Sequence, residues 1–136
     1  MIWNRYFAPF IIVLSTVAFF HWIGTTELYY WTYFWYDIPM HFLGGAWVVL
    51  ATLWISEMPP ARLLKPLLSV IYLLGMALFV GIAWEVYEVV FGIADMHAIG
   101  YVCDTVLDLI MDTSGALIVA FVWSRLRVRD IITSSR

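Results

Sequence analysis

The chain reads as an all-α membrane protein: a four transmembrane helix bundle with an interfacial aromatic segment between spans one and two. Three observations predict this. Of its 136 residues, 64% are hydrophobic and 12% are charged, against about 45–50% and about 25% in soluble domains. Four segments each supply the roughly 20 mainly apolar residues that a bilayer core demands. The seven lysines and arginines all fall on one side of the resulting serpentine.

The first span covers residues 6–23, "YFAPFIIVLSTVAFFHWI", just after Arg5. A secretory leader would end in a small-residue cleavage site, which this run lacks, and more spans follow it, so it is expected to stay as a helix. Residues 24–36 come next, with seven aromatics in the eight positions 29–36. Tyrosine and tryptophan settle at headgroup level, which predicts a segment lying in the interface, partly as a short helix. Span two covers residues 37–55. "SEMPPARLLK", residues 56–65, is a proline-broken hairpin leading to span three at 66–91. A glycine-bounded turn, 92–100, leads to span four at 101–123. No repeat or linker divides the chain, so residues 1–136 are taken as a single transmembrane domain.

Arg5, Arg62, Lys65, Arg125, Arg127, Arg129 and Arg136 lie at the N-terminus, in the second connection and in the tail. The positive-inside rule then places both termini in the cytoplasm and residues 24–36 and 92–100 outside, in the inner membrane of a cell. The basic run "SRLRVRD" leans on anionic headgroups, so membrane lipids are the expected partners, and a homo-oligomer stays open. A net charge of −3 and the lack of a basic stripe argue against nucleic acid. The one cysteine, Cys103, excludes an internal disulfide and leaves the redox compartment open; it is expected to be buried and inert.

Ten acids accompany these cations, and several of them lie inside the spans. Asp37 and His41 are four apart at the outer start of span two and share a helical face. Glu85 and Glu88 are three apart near the outer end of span three. Asp104, Asp108 and Asp112 form a stripe on span four that descends about 12 Å at the helical rise. An acid at a helix centre costs roughly 2.5–3.5 kcal/mol on insertion scales, so such groups face a bundle interior and take a partner, a proton or a cation. Every lysine and arginine is on the other side, and the histidines cannot balance five intramembrane carboxylates. The expected neutraliser is a divalent cation held by Glu85, Glu88, Asp104, Asp108 and Asp112, with His41, oriented by Asp37, as general acid or base. Oxygen ligands favour magnesium, manganese or calcium, and His41 also admits zinc. A ferritin-like di-iron site would need Glu-x-x-His pairs that the chain lacks.

Simpler readings stand beside these. Asp37 could cap span two, and Asp104 could be a first-turn partner of the helix dipole. His21 and His97 read as interfacial. Gly44, Gly45, Gly75, Gly81 and Gly115 read as close-packing positions, and Thr105, Thr113 and Ser114 as donors to backbone carbonyls.

The blocks "YDIPMHFLGG" (36–45), "AWEVYEVV" (83–90) and "CDTVLDLIMDTSGAL" (103–117) resemble the bacterial YjdF-like inner-membrane proteins and, more distantly, the VanZ-like proteins. The resemblance covers roughly residues 36–120. It implies a small multi-pass membrane protein, with Asp37, His41, Glu85, Glu88, Asp104, Thr105, Asp108, Gly115 and Ala116 matching the YjdF-like pattern. Asp112 departs from that pattern, where an uncharged residue is expected, or an amide in many VanZ-like proteins. VanZ-like members are linked to glycopeptide tolerance, which points to the cell envelope. The expected function is that of an outward-facing intramembrane acidic/His site that binds a divalent cation, with a metal-dependent hydrolase or transferase acting on an envelope lipid or lipid-linked phosphate as the first hypothesis for its use. The alternatives are a cation- or proton-binding transport or sensing protein, or an accessory subunit whose acids pair with a partner's bases.

Overall fold

The computed structural model describes residues 3–134. Its elements are α1 (Phe7–Thr26), α2 (Tyr29–Thr32), α3 (Asp37–Ser56), a 3-10 helix (Ala61–Leu67), α4 (Val70–Val90) and α5 (Tyr101–Ser134). Among the described residues there is no strand. Helices α1, α3, α4 and α5 are each long and apolar enough to cross a membrane.

Two helix limits lie furthest from the expected span limits. Span three starts at Val70 instead of 66, because Pro66 belongs to the 3-10 helix and Ser69 makes the true start. Its extended backbone and hydroxyl, which accepts the Tyr72 N–H at 3.2 Å, form an N-cap. Span four continues as one helix to Ser134 instead of 123. No proline or glycine follows Gly115, so nothing stops the helix where its composition turns polar. Gly92 and Gly100, at φ 69° and 97°, adopt the left-handed conformations that bound the α4–α5 connection.

The aromatic segment is a structural cap. Leu28, at φ 58°, separates α1 from α2 and reverses the chain. Tyr36 donates its hydroxyl to the Phe20 carbonyl at 2.8 Å, and its ring meets Tyr30 edge-on at 5.1 Å. Both rings close over Gly24, where a Cβ would sit 2.5 Å from Tyr36 and 2.6 Å from Tyr30.

Helix α3 is the hub. Phe10 of α1 stacks on Trp54 at 4.7 Å and on Trp47 at 6.0 Å. On its other side α3 meets α5 at backbone contact. A Cβ at Gly45 would strike the Asp112 carbonyl, and one at Gly115 would strike the Phe42 carbonyl. This reciprocal glycine crossing is the small-residue packing that lets membrane helices approach closely. Below it, Val49, Leu53, Leu73, Ala77, Ala116 and Ala120 make the apolar core shared by α3, α4 and α5. Gly75 was expected to serve close packing too, but nothing lies within 4 Å of a Cβ there. Large side chains such as Ile71 (83% exposed) and Phe79 (67%) face outward, as a lipid-facing surface requires.

Candidate functional site

The glycine crossing fixes the site. His41 lies one helical turn before Gly45 on α3, and Asp108 and Asp112 lie on the face of α5 that Gly45 touches. The imidazole is 6% exposed and Asp108 and Asp112 are 3% and 5% exposed. Three carboxylates surround the ring. Its Nε2 is 3.5 Å from Asp37 and 3.8 Å from Asp108, while its Nδ1 is 3.3 Å from Asp112.

Asp37, His41 and Asp108 each offer one donor atom, and these atoms all lie within 4.8 Å of one another, a spacing that could hold a metal ion. This cluster brings together an i,i+4 pair on α3 and one residue of the α5 stripe. Asp37 does not cap its helix: the N-cap residue is Tyr36, with no side-chain cap bond, and the Asp37 carboxylate turns to His41 instead.

Asp112 occupies a cradle made by glycines. Its Oδ1 lies 3.5 Å from where a Cβ of Gly44 would be, and its Oδ2 lies 2.5 Å from that of Gly81 on α4. A side chain larger than hydrogen at Gly81 would therefore displace the carboxylate from His41. No residue-type motif marks this arrangement; the glycines carry the signal, since Gly44, Gly45 and Gly81 fall on the faces that meet α5.

The remaining acids sit at the margins of this cluster. Glu85 is buried, one turn outward from Gly81. Its Oε2 accepts the Thr105 hydroxyl at 2.9 Å, and its Oε1 has no hydrogen-bond partner among the described residues. Thr105 thus bonds a side chain, whereas Thr113 and Ser114 do bond backbone carbonyls, of Leu109 and Ile110 at 2.7 Å. Glu88 accepts the Trp84 indole N–H at 3.0 Å on its own helix. Asp104 is exposed at the start of α5, and so is Cys103, which was expected to be buried. Neither Glu85, Glu88, Asp104 nor Asp112 belongs to the Asp37–His41–Asp108 donor set.

An apolar cleft of about 290 Å³ opens beside the cluster, between α1 and α4. Leu14, Val17 and Val80 line it, and His41 and Asp112 form its polar wall. Trp47 also lines it, and its indole N–H has no partner among the described residues. At the outer mouth His21 and Tyr30 share a hydrogen bond of 3.0 Å. Burial and the nearby Asp37 carboxylate push the Tyr30 phenol above its ordinary value, so it stays a hydroxyl. His97, in the α4–α5 connection, is exposed and lies outside the donor set.

Against known proteins, a family model matches residues 5–129, and its description is "Predicted membrane protein (DUF2238)". No curated protein and no solved structure matches.

Proposed function

The chain belongs to the DUF2238 family of membrane proteins, and from that premise and its site we propose that it binds a divalent cation between α3 and α5. The cation serves hydrolysis or transfer at the phosphate of an envelope lipid or lipid-linked substrate. The three sequence blocks support placing the chain with YjdF-like proteins of the inner membrane within this family.

One observation carries the reading. Nε2 of His41 faces two carboxylates from different helices, while Nδ1 is held by a third. Metal-ligating histidines are anchored in this way, with the far ring nitrogen donating to a carboxylate that fixes tautomer and orientation. Asp37, His41 and Asp108 are then the ligands and Asp112 is the anchor, so His41 ligates instead of moving protons. Two carboxylates and one imidazole suit manganese, magnesium or zinc. Such an ion, when bound, polarises a phosphoryl oxygen and acidifies a coordinated water. Glu85, with one oxygen unpartnered among the described residues, is the buried group next to the cluster that could transfer a proton. The apolar cleft, with Val17 and Val80 on its walls and His41 at its polar end, supports a substrate that carries a hydrocarbon chain.

An imidazolium among the same three carboxylates would also hold the site together, without any ion. Elemental analysis of protein purified without chelators separates the two readings. About one equivalent of divalent metal per chain is expected in wild type, and none in Asp108→Asn. Equal, negligible metal in both proteins overturns the proposal and leaves the imidazolium.

A further inference from the structure

The apolar cleft between α1 and α4 is small. Its volume of about 290 Å³ lies at the lower limit of ligand cavities, about 300–1,000 Å³, which leaves room for one chain. Six of the side chains that line it are polar: His21, Tyr30, His41, Trp47, Trp84 and Asp112. Five of them have partners. His21 bonds Tyr30, His41 bonds Asp112, and the Trp84 indole donates to Glu88. The Trp47 N–H is buried and has no partner among the described residues.

Trp47 is held in place, since Phe10 of α1 stacks on its ring at 6.0 Å. An indole nitrogen can only donate. Left buried and unpaired it is unfavourable, and in a bilayer core neither water nor lipid tails supply an acceptor. A ligand in the cleft can supply one if it carries an acceptor at the right depth. Trp47 lies six residues beyond His41 on α3, about 9 Å along the axis. A lipid whose polar end sits at His41 places the first bonds of its tail at that level. In an acyl glycerolipid those bonds include the ester carbonyl, which accepts. In a polyprenyl phosphate they are hydrocarbon and accept nothing.

We propose that the cleft takes an acyl chain joined through an ester, and that Trp47 selects it by donating its indole N–H to the ester carbonyl. This rests on the reading of the cleft as a lipid site, and not on the cation. Trp84 provides the internal comparison. It lines the same cleft, but its N–H is already given to Glu88.

The test is native mass spectrometry of the full chain in dodecyl maltoside with a chelator present. The probes are dioleoylglycerol, its dioleyl ether analogue and a polyprenol. Each is an uncharged alcohol, so neither phosphate nor metal takes part. Wild type is expected to retain the diester about fivefold more than the diether, the ratio that one net hydrogen bond gives. The polyprenol is expected to be held no better than the diether. Trp47→Phe keeps an aromatic ring against Phe10 and brings the diester down to the diether, whereas Trp84→Phe leaves the preference unchanged. Should Trp47→Phe fail to fold, the three probes on wild type decide alone. Equal retention of diester and diether by wild type, or a polyprenol held above the diester, overturns the proposal. Equal loss of the preference in Trp84→Phe and Trp47→Phe overturns it too. Negligible metal in the wild-type protein would remove the cation and leave this selectivity standing.

Discussion

Asp112 and Asp108 sit one turn apart on one helix and are both buried, yet their expected substitution effects differ. Asp108 faces Nε2 of His41 beside Asp37, so under the proposed ligation Asp108→Asn removes a charged ligand and is expected to abolish metal retention. Asp112 faces Nδ1, so Asp112→Asn keeps a carbonyl oxygen that can still accept from the ring. The expected result is metal affinity weakened about 10–100-fold, the usual effect of losing a histidine-orienting carboxylate. Isothermal titration with manganese and zinc on both variants checks this ranking, and equal loss in the two would place Asp112 among the ligands. Ion removal has its own readout. A cation present at 100 times its dissociation constant stabilises the folded state by about 2.7 kcal/mol. Chelation is therefore expected to lower the thermal midpoint of wild type and to leave that of Asp108→Asn unmoved.

At the scale of the elements, the glycines decide how near the helices come. Gly45→Ala would drive a methyl into the backbone of α5 at Asp112, which cannot yield as a side chain can. A cost of about 3 kcal/mol, the upper range for overpacking, is expected, with loss of monodisperse protein in detergent. Gly75→Ala meets nothing and is expected to leave the thermal midpoint unchanged or raised, since alanine is the better helix former. Size-exclusion profiles and melting of the pair check the contrast. The same contacts explain how much of the molecule was legible beforehand. The four spans follow from hydropathy, which needs no partner helix. The joining of Asp37 with His41 follows from helical periodicity, as does the common face of Asp108 and Asp112. That Asp112 anchors the ring instead of sharing the donor set depends on the α3–α5 crossing, which single-helix periodicity does not contain. Glu85 and Glu88 are about 60° apart around α4, close enough to share a face on paper. The rotation of α4 against α5 nevertheless buries Glu85 on Thr105 and leaves Glu88 to Trp84. Helix α5 outruns the expected span four for a different reason: hydropathy marks where lipid stops, and helix propensity carries α5 beyond it.

For the whole molecule the decisive variable is which side of the membrane each end of the bundle faces. The cavity rimmed by Arg5, Lys65 and Arg127 and the His41 cluster lie at opposite ends of the bundle. Cations are as a rule retained on the cytoplasmic side during insertion, so the cluster and its cleft are expected to face outward. The chain carries its own reporter of that arrangement. Cys103 is its only cysteine, it is exposed, and it lies at the start of α5, on the same end as Asp37 and His41. A membrane-impermeant maleimide added to intact spheroplasts is expected to label Cys103 in the wild-type chain. Thr133→Cys in a Cys103→Ser background places the thiol on the exposed far end of α5, and labelling should then require permeabilisation. The reverse pattern would turn the molecule over. The cluster would then open toward the cytoplasmic leaflet, and a substrate from the outer envelope could no longer reach it, even with the metal chemistry intact.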